Sequence, residues 1–215
     1  MDSYEPFMIY RSLEHFLAYR NKETPENFKL TQDQFINKFE SQGFYKIETG
    51  GKNKLMVLIL SETGRYFAKT ADFVRLAQTN KWEELAVIVP RGFFLKKNFL
   101  SKAQEIFRNA KKERNHFGVY PYGIFTMEIP RHESVPKHTV MAEDEVKAVT
   151  DYFLMSKSEL PTAFHTDPAV VWCGGRPGDL VKIERDSEAT GKAITIRLVT
   201  EDPFLGAEIY SRVIQ

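Results

Sequence analysis

The sequence has a single cysteine, Cys173, so no disulfide can form within the chain. We therefore expect a reducing compartment, in which thiols stay unpaired. The chain has no run of about 18 apolar residues, which excludes an ordinary membrane-spanning helix. Its first residues, Met1–Pro6, lack a basic region followed by an apolar stretch, and we expect no secretory signal.

An excess of either charge is also lacking, because 30 Lys and Arg residues face 29 Asp and Glu residues. Attraction of the whole chain to nucleic acid is therefore not indicated, and such a function needs a local cluster of charge. The composition is otherwise globular, with 42% apolar residues, 27% charged residues and 17 Phe. A length of 215 residues corresponds to one large or two small domains.

Hydrophobic periodicity predicts two helices near the start of the chain. The first covers about Glu5–Tyr19. The second begins after Thr31, where Gln34 completes a capping box, and ends at Gly43.

Two short apolar runs, Leu55–Leu60 and Leu85–Val89, predict buried strands. Helical patterns at Lys69–Asn80 and Asn98–Lys112 follow them, and Val119–Ile129 predicts an irregular or edge strand. Buried strands separated by helices predict an α/β fold with parallel pairing.

A segment with two prolines and little hydrophobicity, Pro130–His138, is the predicted domain boundary. Three acidic residues at 143–145 then open a helix, at the end where the helix dipole favours negative charge. Asp167-Pro168 predicts the cap and first residue of a further short helix, which Gly174 ends. The helix that begins at 143 has apolar positions that predict a buried stripe: Val146, Val149 and Phe153.

A turn and a β-hairpin are predicted within Gly174–Val199. Pro177-Gly178 suits the centre of a type II turn, in which Gly178 has positive φ. A strand at Leu180–Arg185 follows, and Asp186–Lys192 is a polar hairpin loop. The second strand alternates, with three apolar residues on one face: Ile194, Ile196 and Leu198.

The most uneven charge lies in Arg91–Arg114, where eight basic residues accompany two acidic ones. One interpretation is a solvated helix face, and the other is a surface that contacts nucleic-acid phosphates. An autonomous basic nucleic-acid-binding protein is therefore one hypothesis for the function.

Catalytic and metal sites have weak support in the sequence. A metal-dependent endonuclease of this fold class needs acids at its strand ends, but both buried strands lack them, and Glu62 and Asp72 have no partner at useful spacing. His132, Glu133 and His138 are close in sequence, but the histidines are six residues apart with a proline between them. We therefore predict no catalytic residue, no metal site and no cofactor.

The segment Gly174–Gly191, with Gly-x-Arg-x-Gly-Asp-x-Val-Lys-Ile-x-Arg-x-Ser, closely resembles the C-terminal signature of one family. This family is the fifth-largest subunit shared by eukaryotic nuclear RNA polymerases I, II and III, whose archaeal counterpart has only the C-terminal domain. Val135–Met141 and Leu160-Pro161 also stand where the family has similar residues, and the resemblance extends over about Tyr4–Val199.

The resemblance implies an α/β, or overall α+β, chain without catalytic activity. Residues 1–130 would form a nuclease-like jaw domain beside downstream double-stranded DNA, and residues 131–199 a small sheet-and-helix domain that docks on the largest polymerase subunit. Residues 200–215 would be a C-terminal extension. No membrane and no small-molecule substrate are implied.

Residue by residue, the expected contacts form two groups. The expected DNA contacts are Arg91, Lys96, Lys97 and Lys102. The expected polymerase-assembly residues are Pro161, Asp167, Pro168, Arg176, Gly178, Lys182, Arg185, Ser187, Thr190, Gly191 and Arg197.

The sequence departs from the family pattern in four places. Ala142 replaces the usual Thr cap, Phe94–Lys97 replaces Thr-Pro-Ser-Ala at the jaw tip, Ile196 replaces Tyr, and the chain continues for 16 residues past Val199. These differences favour a divergent lineage such as a large DNA virus. The expected location is the nucleus, or a cytoplasmic virus factory or virion if the chain is viral.

Overall fold

Two four-stranded sheets organise the chain in a computed structural model that describes residues 4–25, 28–50, 54–61, 83–90, 116–187 and 191–202. Each sheet belongs to its own compact unit, and the division falls between Met127 and Glu128. We call these the N-terminal and C-terminal units. None of the helices in these ranges is long and apolar enough to cross a membrane.

The N-terminal sheet has four strands, in the order β1 (Phe44–Glu48), β2 (Leu55–Leu60), β3 (Glu84–Val89) and β4 (His116–Pro121). Its two central strands, β2 (Leu55–Leu60) and β3 (Glu84–Val89), are buried at every residue and run parallel. A strand covered on both faces needs a continuous apolar run, and these runs supply it. Both buried strands and their parallel pairing are thus confirmed.

Strand β1 (Phe44–Glu48) was not predicted from the sequence. It pairs antiparallel with β2 at the edge of the sheet, and only Ile47 is fully buried. Edge strands with one partly solvated side carry mixed residues, so β1 has no continuous apolar run. Gly43, with φ of 72°, ends the preceding helix and begins the reversal into this strand.

Two helices pack in the N-terminal unit, α1 (Tyr4–Tyr19) and α2 (Gln32–Gln42), and both are confirmed. In α2 the predicted capping box is present: the Gln34 N–H donates to Thr31 Oγ1, and the Thr31 N–H donates to Gln34 Oε1. The apolar side of α1 contributes fully buried side chains to the core: Ile9, Leu13, Phe16 and Leu17.

The strand expected at Val119–Ile129 was placed too far along the chain. Strand β4 spans His116–Pro121 and pairs parallel with β3 at the other edge of the sheet. A 3₁₀ turn then covers Tyr122–Ile124, and Tyr122 donates its hydroxyl hydrogen bond to the Leu60 carbonyl. Pro121 lacks an N–H and lies at the end of an edge strand, where the ladder can stop.

The helices predicted at Lys69–Asn80 and Asn98–Lys112 lie outside the described residues. The same holds for most of the C-terminal extension, from residue 203 onward.

The C-terminal sheet has the order β5-β7-β8-β6. Its long strands β7 (Leu180–Ser187) and β8 (Gly191–Thr200) form the predicted hairpin, but the pairing continues to Ser187 and Gly191, so the predicted loop Asp186–Lys192 was too long. Strand β5 (Lys137–Val140) pairs antiparallel with β7, and β6 (Thr162–Phe164) pairs parallel with the end of β8. The buried core of this unit combines helix and sheet residues: Val170, Val181, Ile183 and Val199.

Two helices accompany this sheet, α3 (Glu143–Phe153) and α4 (Pro168–Cys173), and both were predicted. The predicted buried stripe of α3 is wrong, however, because no residue of α3 is fully buried and Phe153 is 57% exposed. The apolar stripe of α3 has helical periodicity, which shows that the helix is amphipathic but not that another element packs on it. No element in the described part of this unit covers the stripe fully.

Candidate functional site

The turn that precedes the hairpin is closed by Arg176 and Asp179. The Asp179 N–H donates to the Arg176 carbonyl at 2.9 Å, and the Arg176 N–H donates to Asp179 Oδ2 at 2.9 Å. Gly178 has φ of 95°, as the Pro-Gly pair predicts. Its N–H bonds the Val199 carbonyl at 2.9 Å, which fixes the turn against β8.

The two glycines ahead of this turn have structural roles. Gly174 ends α4 in the left-handed conformation, with φ of 83°. Gly175 permits close packing, because a Cβ on it would lie 2.8 Å from the Val170 Cγ1 atom. The glycine-rich part of the motif therefore shapes the junction between α4 and β7.

Asp167, Pro168 and Pro161 also support local structure. Asp167 caps α4, since its Oδ1 accepts the Ala169 N–H at 2.9 Å and the Val170 N–H at 3.4 Å. Pro168 is the first helical residue, where a missing N–H costs nothing. The Pro161 carbonyl accepts the Leu198 N–H at 2.8 Å. Asp167 and Pro168 therefore stabilise the start of α4, and Pro161 joins its segment to the strand that contains Leu198.

The charged residues of the hairpin lie on two faces. Residues directly opposite in an antiparallel pair share a face. Arg185 is opposite Ala193 and Arg197 is opposite Val181, which places both arginines on the face of the buried core. Lys182 lies on the other face, with its Nζ 3.6 Å from Glu184 Oε1 and 3.9 Å from Glu145 Oε1. The structure therefore does not bring Lys182 together with the two arginines.

The far end of the hairpin is the exposed part. Arg185 is exposed, and the pair Ser187 and Gly191 is the last before the loop, with Gly191 at φ of 74°. Arg197 donates from Nη1 to the Thr162 carbonyl at 3.1 Å and so joins β8 to β6. Thr190 lies outside the described residues.

The exposure of several apolar side chains of this unit was not predicted from the sequence. Ile194 is 62% exposed and lies with Ile196 and Leu198 on the face opposite to the Val181 core. At the end of α3, four consecutive large apolar residues are exposed: Tyr152, Phe153, Leu154 and Met155. The alternation at Ile194, Ile196 and Leu198 shows an apolar face but not what covers it, and Tyr152–Met155 is a consecutive run with no period that tells burial from exposure.

His165 is a buried polar residue that the sequence analysis also missed. Its Nδ1 lies 3.2 Å from the Asp202 N–H nitrogen and 3.3 Å from the Thr200 carbonyl oxygen. An unprotonated Nδ1 accepts the Asp202 N–H, whereas a protonated one donates to Thr200. Burial lowers the pKa of His165, while the Thr200 carbonyl, Asp202 and Glu201 act in the opposite direction. Neutral His165 thus ties the chain leaving β8 to β6.

The expected DNA-contacting residues Arg91, Lys96, Lys97 and Lys102 lie outside the described residues. So do Glu62 and Asp72, the acids considered for a nuclease.

The described histidines and acids do not form a metal cluster. His132 Nδ1 accepts the Ser134 N–H at 3.2 Å, and His138 Nδ1 lies 2.7 Å from the Pro136 carbonyl. Within the described ranges, no group of three or more metal-ligating side chains lies together. A buried carboxylate on the N-terminal sheet, Glu84, is paired with Arg20.

Comparison with known proteins supports the interpretation of the hairpin motif. The family described as RNA polymerase Rpb5, C-terminal domain, matches residues 127–199. An archaeal relative, the DNA-directed RNA polymerase subunit Rpo5 of Thermococcus celer, is 40% identical over 75 residues, covering 35% of this chain and 92% of the relative.

Viral relatives extend the match to both units. The DNA-directed RNA polymerase RPB5 homolog of African swine fever virus, isolate Pig/Kenya/KEN-50/1950, is 31% identical over 201 residues, which covers 90% of this chain and 96% of the relative. The homolog of isolate Tick/Malawi/Lil 20-1/1983 has the same identity and coverage. On this near-complete match, together with the hairpin and its turn, the chain belongs to the RNA polymerase Rpb5 family.

Proposed function

We propose that this chain is a non-catalytic subunit of a multisubunit DNA-directed RNA polymerase, in which the C-terminal unit docks on the largest subunit and the N-terminal unit contacts downstream duplex DNA. The observation that carries the proposal is the match of nearly the whole chain to viral relatives named as homologs of an RNA polymerase subunit. As a non-catalytic subunit of an enzyme complex, the chain would act through its surfaces of contact with other subunits and with DNA.

Docking through the C-terminal unit is supported by what this unit exposes. The hairpin presents Arg185 at its exposed end, and Ile194 of the other strand offers apolar surface on the opposite face of the sheet. Exposed large apolar residues at the end of α3 are a further surface of the kind that protein interfaces use. The predicted assembly residues Lys182, Ser187, Thr190 and Arg197 belong to the same hairpin or its loop.

Contact with DNA is supported by charge and by position in the chain. The basic segment Arg91–Arg114 begins directly after Pro90, at the carboxyl end of the buried strand β3. An exposed tip at the end of a central strand would carry Arg91, Lys96 and Lys97 towards the phosphates of the duplex, and Lys102 on the helix predicted after it would extend the basic face. Such contacts add affinity without base specificity. The proposed location is the compartment of transcription, which is the nucleus, or a virus factory or virion for a viral polymerase.

Co-expression of the full chain with the largest polymerase subunit tests the docking. Arg185→Glu and Ile194→Asp should each reduce the amount recovered in the complex, because charge and apolar contact are lost at the exposed hairpin end. Arg11→Glu, on the exposed side of α1 in the N-terminal unit, is the control and should leave recovery unchanged. Full recovery of both hairpin variants would contradict docking through the hairpin.

A further inference from the structure

A groove with a volume of about 580 Å³ runs beside strand β1 in the N-terminal unit. One wall is formed by the four consecutive residues Tyr45–Glu48, and the other by Pro25, Phe28–Leu30 and Lys38. Side chains of a strand alternate between its two faces. A groove lined by consecutive strand residues therefore faces the edge of the strand and not one face of the sheet.

The edge of β1 that faces this groove has no neighbour among the described strands. Strand β1 ends the order β1-β2-β3-β4, with β2 on its other side. The Thr49 N–H donates to the Leu55 carbonyl and the Gly43 carbonyl accepts the Ser61 N–H, both at 3.0 Å. Backbone direction alternates along a strand, so the N–H and C=O groups of Lys46 and Glu48 point away from β2.

Tyr10 of α1 fixes both walls of the groove. Its ring lies 4.5 Å from the Phe28 ring and 5.3 Å from the Tyr45 ring, measured between centroids. Its hydroxyl oxygen accepts the Leu30 N–H at 3.2 Å. Burial and the neighbouring Tyr10 raise the pKa of Tyr45 to about 12, which reflects how closely its hydroxyl is packed in this wall. The groove is thus formed before anything binds, which lowers the entropic cost of binding.

The described lining is basic. Three exposed lysines, Lys29, Lys38 and Lys46, surround the groove, and Glu48 is the acidic residue among the described lining. Lys46 Nζ lies 2.9 Å from Glu48 Oε1, but both side chains are more than two-fifths exposed, so this ion pair is weak and easily exchanged. In the described lining, Glu48 is paired with Lys46 and not with Lys29 or Lys38. A ligand with several negative charges could therefore form ion pairs with Lys29 and Lys38 without displacing a carboxylate of the lining.

We propose that this groove binds an extended acidic polypeptide segment, which adds to β1 as a further strand of the sheet. An open strand edge presents N–H donors and C=O acceptors in alternation, and a peptide backbone satisfies both. A phosphodiester chain offers only acceptors and would leave the strand carbonyls unpaired. Lysines on a strand edge also oppose pairing between two copies of the chain, because their like charges repel. The acidic side chains of the proposed peptide would instead be attracted to these lysines. This interaction is separate from the proposed docking and DNA contacts.

The test uses the full chain and a fluorescent, end-blocked octapeptide of alternating Glu and Val. Binding should be measured by anisotropy, with a Lys-Val octapeptide and oligothymidylate as comparison ligands. The acidic peptide should bind tightest and should shift the amide NMR signals of Lys46 and Glu48. Tighter binding of oligothymidylate would overturn the proposal in favour of a nucleic-acid surface.

Matched substitutions separate backbone pairing from charge. Lys46→Ala and Lys46→Pro both remove the ammonium group, but only proline removes the outward N–H, and it leaves the pairing with β2 intact. Lys46→Pro should therefore bind the acidic peptide about three- to tenfold more weakly than Lys46→Ala. Equal affinities would exclude strand addition.

Two further comparisons keep the test decisive if Lys46→Pro folds poorly. With the wild-type chain, N-methylation of alternate amides in the acidic peptide should abolish binding, and retained affinity would overturn strand addition. Lys29→Glu with Lys38→Glu should weaken binding at least about tenfold, because two attractions become repulsions. Lys147→Glu on α3 is the control in the other unit and should have no effect. Unchanged affinity of the double variant would exclude the groove as the site.

Discussion

Arg20 Nη1 lies 2.7 Å from Glu84 Oε1, and the two side chains are only 5% and 3% exposed. This ion pair joins the residue after α1 to the first residue of β3. The Arg20 guanidinium also lies over the Phe16 ring, 4.8 Å from its centroid. A buried charge depends on its partner, because neither can be rehydrated when the other is removed.

Replacing one partner should therefore be costly. We expect Arg20→Ala to lower the free energy of unfolding by about 3–5 kcal/mol, measured by urea denaturation of the full chain. The apolar pair Arg20→Met with Glu84→Leu is the control and should recover most of this loss, since no charge is left buried. A loss below about 1 kcal/mol for Arg20→Ala would show that water reaches Glu84.

Gly178 should tolerate no β-branched residue, for conformational reasons alone. A Cβ at Gly178 would meet nothing within 4 Å, but its φ of 95° is strained for side chains. We expect Gly178→Val to cost about 1–3 kcal/mol. Gly123→Val is the matched control, because Gly123 has equally open space and no such φ. Equal decreases in melting temperature for the two variants would show that the positive φ of Gly178 is not the cause of the loss.

Ala142 offers a stabilising substitution. The Ala142 N–H donates to Glu145 Oε2 at 3.1 Å, so half of a capping box exists at the start of α3. Ala142→Thr should supply the other half and add about 1 kcal/mol to the free energy of unfolding. Ala148→Thr, at an exposed position inside the same helix, should instead lose about 0.5 kcal/mol. A loss at both positions would contradict the capping argument.

His165 should make stability depend on pH. Its pKa in the folded chain is lowered below the ordinary 6.5 by burial. Between the lowered pKa and 6.5 the unfolded chain binds more protons, so stability increases with pH through this interval and falls on acidification. His165→Gln should reduce the difference in melting temperature between about pH 7.5 and about pH 5. An unchanged difference would assign the dependence to other groups.

The basic segment after β3 should contribute to the salt dependence of DNA binding. Arg91→Ala, Lys96→Ala and Lys97→Ala together should lower the slope of log affinity against log salt by about two to three units, if each residue neutralises one phosphate. The lifetime of assembled polymerase on one downstream duplex measures this. RNA bond formation on a pre-formed scaffold should stay nearly normal. Equal slopes for the wild type and the variant would show that these three residues do not contact DNA phosphates.

Sequence patterns predicted the fold best where the cause is local. Leu55–Leu60 is apolar throughout because both faces are covered, and the capping box of Thr31 lies within one turn of helix. Strand β1 was missed because an edge strand needs no such run. The stripe that includes Phe153 was assigned to the interior because periodicity reports an amphipathic helix but not what covers it.

In the candidate site as well, local features were predictable and contacts between distant residues were not. Gly178 was predictable, since a Pro-Gly pair strongly favours a type II turn, in which the glycine has positive φ. The contact of His165 with Asp202 joins residues 37 positions apart, and no local pattern marks it. The separation of Lys182 from Arg185 by sheet face follows from strand alternation and could have been predicted from their odd spacing.

The parallel arrangement of the N-terminal sheet has a consequence for synthesis. Strand β2 leaves the ribosome with only β1 to pair with, and its parallel partner β3 begins 24 residues after β2 ends. Until then, the six apolar residues Leu55–Leu60 have an open edge and a composition that favours intermolecular β-aggregation. Lys54 flanks this strand as a charged residue of the kind that slows such association. Chains truncated between β2 and β3 should therefore be found in inclusion bodies or bound to chaperones.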